Sequence, residues 1–160
     1  MASHVSLLVT GSRHAEDRVP LWSALDAALE AYSYDSLSLF VGCARGADQL
    51  ARDWWHERQR GHVLTSPEPM VELFTSAPAQ DPCGLDDGFR ERLYVFRADW
   101  AGHGKGAGPR RNERLVEAWT EDGGAHHAFA MWTGDVKGSG TLDCMSRIVR
   151  TGHCFEVIPA

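Results

Sequence analysis

At 160 residues the chain is long enough to bury a core without disulfide or metal staples, and its 43% hydrophobic and 24% charged residues are those of an ordinary globular domain. Sixteen basic residues against twenty-two acidic ones leave a net charge of −6, which argues against a broad nucleic-acid surface but leaves room for a local basic pocket. Four cysteines (Cys43, Cys83, Cys144 and Cys154) show no C-x-x-C spacing, so reduced thiols in a cytoplasmic protein are expected, and no apolar run approaches the ~18 residues of a membrane span.

The opening HVSLLVTGSR is a short apolar run ending in Thr-Gly-Ser, which fits a buried strand entering a tight turn. In EDRVPLWSALDAALEAYS, Leu21, Trp22, Leu25, Ala28 and Leu29 fall at helical spacing, with Glu16 or Asp17 as cap and Pro20 tolerable only in the first turn. SLSLFVGCARGADQLARDWWHERQRG repeats the plan with a strand at 37–41, a glycine turn, a helix from about 46, and Gly61 as its stop. HVLTS (62–66) reads as a third strand. Residues 66–91 hold four of the seven prolines and read as an irregular insertion. RLYVFRA is a strand, followed by a glycine-rich loop and a helix over RRNERLVEAWTEDG. The last unit is the strand HHAFAMW, the turn TGDVKGSGT, a helix over 141–151 and a closing strand CFEVIP.

Strands that are apolar almost throughout, alternating with helices, specify an α/β fold: a single Rossmann-like three-layer domain over 1–160 with a mainly parallel central sheet. In such a sheet, ligands sit at the carboxyl ends of the strands. Three strand-to-helix turns carry the chemistry there: Gly11, Ser12 and Arg13; Gly42, Arg45, Gly46 and Asp48; and Gly138, Ser139, Gly140 and Thr141. Glycine lets backbone amides approach a ligand, and the first turn of a helix presents unpaired N–H groups with a partial positive charge, so the expected ligand is an anion. Asp48 either grips a ribose hydroxyl or caps the helix beginning near Gly46.

A fourth element, DWAGHGKGAGPRRNE (99–113), offers Trp100 as a stacking face, Lys105 as a point charge, and Arg110 and Arg111 as planar forks. It is not a Walker loop, which would need glycine at Asp99 and Ser or Thr at Gly106, and no G-x-G-x-x-G follows the first strand. No cofactor and no metal site is expected. The histidines are dispersed, and His126 and His127 adjoin a strand where neighbours point to opposite faces. Trp54 and Trp55 are adjacent on a helix and point about 100° apart, so one is expected near the surface, which makes a homodimer the expected assembly.

In the order VTGSR, GCARGADQLA, ADWAGHGKGAGPRRN and GSGTLD, the chain resembles the YspA-like, YpsA-related group of the SLOG superfamily. The resemblance implies a Rossmann-like fold, a nucleotide or nucleotide-derived small-molecule ligand, and dimers in several members. It also implies two relatives in function: the LOG phosphoribohydrolases, which cleave the N-glycosidic bond of a nucleoside 5′-monophosphate, and the DNA-binding protein DprA. Aligned on the LOG motifs, Arg111 stands near their arginine, Asn112 where they have lysine, and Gly138, Gly140 and Thr141 in their phosphate loop. Their glutamate falls three residues beyond the threonine, whereas the nearest carboxylate here is Asp143, shorter and one residue early.

Two readings therefore compete. In the first, a sensor or binding module recognises a nucleotide-type ligand without chemistry, and the departure at Asp143 favours it. In the second, Arg111 and Asp143 are catalytic residues of a LOG-like hydrolase, with Asp143 as acid/base or electrostatic group. A DprA-like nucleic-acid function is disfavoured by the net charge.

Overall fold

The computed structural model describes residues 3–62, 71–75, 91–134 and 139–160. The chain runs β1 (His4–Gly11), α1 (Val19–Glu30), β2 (Ser36–Gly42), α2 (Ala47–His62), β3 (Val71–Thr75), β4 (Glu91–Phe96), α3 (Trp100–His103), a 3-10 turn (Gly104–Gly106), α4 (Ala107–Glu121), β5 (Ala125–Trp132), α5 (Gly140–Arg150) and β6 (Glu156–Pro159). The six strands form one sheet in the order β3-β4-β2-β1-β5-β6, and every pairing is parallel. Among the described residues no helix is long and apolar enough to cross a membrane.

Alternation along the strands sends side chains to two cores. Val5, Leu7 and Val9 of β1 join Leu37, Leu39 and Val41 of β2 beneath α1 and α2, where Leu21, Leu25, Trp54 and Trp55 are buried. Leu8, Phe40, Tyr94 and Phe96 face the other way, under Leu115, Val116 and Trp119 of α4 and Cys144 and Ile148 of α5. The result is the three-layer Rossmann-like arrangement expected. The helices change face where the chain changes direction: it steps outward from β1 to β2 under α1, then returns across the sheet from β4 to β5 under α4. Crossovers of one hand require that switch of face. The reversal leaves a crevice above the adjoining ends of β1 and β5, which pair through Gly11 and Met131.

Local signals place α1 well: Pro20 sits in its first turn, and the carboxylate of Asp17 accepts from the Val19 amide at 3.0 Å. Three expectations need correction. The helix α2 continues through Gly61 to His62, so the strand expected from 62 does not begin there, and residues 63–66 lie outside the described residues. Part of the insertion at 66–91 is a strand, since Val71–Thr75 pairs with β4 at the sheet edge. The rest of that insertion, other than Glu91 at the start of β4, lies outside the described residues. The glycine-rich stretch after Asp99 is helical, because the Asp99 carboxylate accepts from the Gly102 amide at 2.9 Å and caps α3.

Trp54 and Trp55 are both buried, at 2% and 0% exposure. The expected surface tryptophan is absent because α2 is sandwiched: one flank meets the sheet, and the other meets α1, where Asp26 accepts from the Trp54 indole at 2.8 Å. The pair supplies no dimer surface.

Candidate functional site

The turn after β1 is stitched to both neighbours. The Ser12 amide donates to the Met131 carbonyl at 2.8 Å, and the Ser12 carbonyl accepts from Ala47 at the start of α2 at 3.0 Å. This packing leaves no room for a side chain at two glycines. A Cβ on Gly11 would lie 2.6 Å from the Met131 carbonyl oxygen, and Gly46 has φ +71° with the Ser12–Arg13 backbone against it. The turns after β1 and β2 are thereby locked together, against the end of β5, at one sheet edge.

Above them lies a cavity of about 660 Å³. The turn after β1 contributes Gly11, Ser12 and Arg13, and α2 contributes Asp48. The segment from α3 to α4 brings Trp100, Lys105, Arg111 and Asn112, and the start of α5 brings Ser139, Gly140, Thr141 and Asp143. Trp100 is 51% exposed, with the Arg13 guanidinium 5.7 Å from its ring centroid. Ser139 is the N-cap of the eleven-residue α5: its Oγ accepts from the Leu142 amide at 3.1 Å and its carbonyl from the Asp143 amide at 3.2 Å, which leaves the Gly140 and Thr141 amides with no intrahelical acceptor.

The polar groups of the cavity form one chain of contacts across three helices. Arg111 of α4 sets Nη1 3.6 Å from Oδ2 of Asp48 on α2, and Oδ2 also accepts from the Ala44 amide at 3.1 Å. The Nε of Arg111 donates to the side-chain Oδ1 of Asn112 at 2.9 Å. Asn112, 2% exposed, turns its amide to α5 and donates at 3.0 Å to both the Gly140 carbonyl and Oδ2 of Asp143. That carboxylate oxygen also accepts from Arg147 at 3.0 Å, and Arg147 continues to Glu113 at 3.8 Å. Asp143 is therefore a positioned carboxylate, and Ser139 does the capping. Through Oδ2, Asp48 likewise accepts from the 42–46 turn while lining the cavity. Burial pushes its carboxyl above the ordinary value, and the Arg111 guanidinium opposes this only in part.

Not every expected residue faces the cavity. Arg45 lines an adjoining cavity, also of about 660 Å³, with Cys43 and His14. Gly42 lies behind the Asp48–Arg111 pair, where any side chain would collide with both. Gly46 packs on the β1 turn, Arg110 is exposed and lines neither cavity, and Gly138 lies outside the described residues. Residues that sequence reasoning passed over are Thr10, His14, Ala44, Trp132 and Thr133. The signal that finds the last two is positional, since Trp132 ends β5 and Thr133 follows it at the same edge. Cys144, on the buried face of α5, is wholly buried, and burial pushes its thiol up to about 12. Among the described residues, no three His, Cys, Asp or Glu side chains gather as a metal site requires.

The model of the YspA, cpYpsA-related SLOG family matches residues 5–69, which run from β1 through α2 and include both of the first two turns. Gene 61 protein of Mycobacterium phage D29 is 34% identical over 147 residues, covering 91% of this chain and 90% of that protein. No solved structure matches the chain. With its motifs and its parallel sheet in agreement with the family model, the chain belongs to the YspA, cpYpsA-related SLOG family.

Proposed function

We propose that the cavity at the carboxyl edge of the sheet binds a nucleotide or nucleotide-derived small molecule, and that the protein acts as a sensor or binding module. The observation that carries this reading is the convergence of two complementary surfaces in one cleft. One is an anion site, made of the first-turn amides of α5 with Lys105 and Arg13. The other is the half-exposed ring of Trp100. A phosphate takes the first and a planar base the second. Asp48, with Arg111 beside it, faces the space between as a ribose-hydroxyl acceptor. Family membership supports a nucleotide-type ligand in the same terms.

One observation favours hydrolysis as a second reading. Asp143 lines the same cavity, and Asn112 and Arg147 hold its carboxylate oxygen in place, as an electrostatic or acid/base group must be held. Calorimetric titration with AMP, GMP, CMP and UMP tests the binding reading, and chromatography of the same mixtures for free base tests the second. Binding with no base release at high protein concentration supports the module. Base release that disappears in Asp143→Asn makes the protein a hydrolase. No binding of any of the four counts against a nucleotide ligand.

A further inference from the structure

The cavity just described does not stand alone. A second cavity of the same size adjoins it, and Arg13, His14, Ala44, Trp100 and Arg111 line both. These five residues form a partition between an inner chamber, which holds the start of α5, and an outer chamber built by the turn after β2 together with Glu16 and Ala98. Each chamber has its own cation. Lys105 belongs to the inner one and Arg45 to the outer one, while Arg13 stands on the partition. None of the three makes an ion pair among the described residues, whereas Arg111, on the same partition, is matched by Asp48. In a chain of net charge −6, these three cations stand against one unmatched lining carboxylate among the described residues, Glu16 of the outer chamber, so the adjoining concave surfaces keep a net positive potential.

A nucleoside monophosphate accounts for only half of this. Its phosphate engages α5 and Lys105 and its base engages Trp100, which leaves Arg45 and the outer chamber unused. Resting on the nucleotide reading above, we propose that the ligand has two phosphates and two halves: a nucleotide in the inner chamber and a second sugar- or nucleoside-like half in the outer one. One phosphate lies at the start of α5, the other at Arg13, and the second half is held at Arg45. A nucleoside diphosphate conjugate and a 5′-phosphorylated dinucleotide share this chemistry.

The test is calorimetric titration of the full chain in three arms matched by base. The first arm is AMP, GMP, CMP and UMP. The second is ADP-ribose, GDP-mannose, CDP-glucose and UDP-glucose, and the third is pApA, pGpG, pCpC and pUpU. For the base that binds, at least one two-halved ligand is expected to bind tenfold or more tighter than its monophosphate, and the better arm identifies the linkage. Arg45→Glu, at an exposed position in the outer chamber, is expected to reduce that ratio to within about twofold of one. A monophosphate that binds as tightly as both larger ligands overturns the two-chamber inference and leaves the nucleotide reading standing. A preference that survives Arg45→Glu also overturns it, because the second half then lies elsewhere. Failure of all twelve compounds removes both.

Discussion

Arg111 and Asp48 come from helices on opposite faces of the sheet and meet over its edge, with Nη1 3.6 Å from Oδ2 and Gly42 as the floor beneath them. Asp48 faces the cavity from the first turn of α2 and Arg111 from α4, so this contact ties the two helical layers together at the site. The distance is long for a charge-assisted hydrogen bond, so the guanidinium only partly offsets the cost of burying the carboxylate.

Gly42 and Gly46 differ in what they exclude, and Gly→Ala at each separates site from scaffold. A methyl on Gly42 meets the ends of two side chains, Arg111 and Asp48, which can turn aside. Gly42→Ala is expected to lower the melting temperature by only a few degrees, about 1 kcal/mol, while weakening nucleotide binding. A methyl on Gly46 meets the Ser12–Arg13 backbone, in a left-handed conformation that alone costs about 1–2 kcal/mol. Gly46→Ala should therefore melt well below Gly42→Ala. Thermal melts of the two variants, with calorimetry on whichever folds, check the order, and the reverse order refutes this division.

Much of this edge is written locally in the chain. Gly11, Gly42 and Ser139 each end or follow an apolar run of strand length, and a parallel sheet must bring such turns to one edge. What the sequence hides depends on tertiary partners. Val71–Thr75 is five residues set among prolines, and only its pairing with β4 makes it a strand. Asn112 and Asp143 stand 31 positions apart, and nothing local announces their bond. Trp54 and Trp55 show the limit of helical periodicity, because a helix covered on two flanks buries neighbours that periodicity alone sends to different environments.

Asp48 sets a pH dependence. Its carboxyl lies above the unfolded value of 3.8 because burial disfavours the charge. Between the unfolded and folded values the native state binds more protons than the unfolded state, so stability falls as pH rises through that window and is level above it. Asn at this position keeps an oxygen for the Ala44 amide and carries no such penalty. The melting temperature of Asp48→Asn minus that of wild type is therefore expected to increase from pH 4 to pH 7. A difference that stays flat, or shrinks, would show that the Asp48–Arg111 pair compensates the burial in full.

Asn112 is the joint between the two ends of the polar chain. Asn112→Leu fills similar space but takes this donor from the Gly140 carbonyl and from the Asp143 carboxylate. Lost partners of this kind cost about 1–3 kcal/mol, or roughly 3–10 °C in a chain of this length. Asn112→Asp sets a second carboxylate beside Asp143 and should be as damaging. Adding Asp143→Asn restores a donor across the same gap, so the double variant is expected to lose less stability than the sum of the two single changes. Strict additivity in a double-mutant cycle of melting free energies would mean that the 3.0 Å contact contributes nothing.

Trp100 gives the most direct optical readout. Of the protein's six tryptophans, Trp22, Trp54, Trp55, Trp119 and Trp132 are buried or half-buried, while Trp100 is exposed at the partition between the two chambers. Stacking of a base on an aromatic ring contributes about 1–3 kcal/mol, so Trp100→Ala is expected to weaken nucleotide binding roughly five- to hundredfold. Because the ring is 51% exposed, the melting temperature should change little. Titration with AMP, GMP, CMP and UMP should quench part of the tryptophan emission, and the quench should vanish in Trp100→Phe while binding persists, since phenylalanine still stacks but does not emit in that band. A quench that survives in Trp100→Phe would move the base away from this ring, towards Trp132 at the end of β5, which lines the inner chamber.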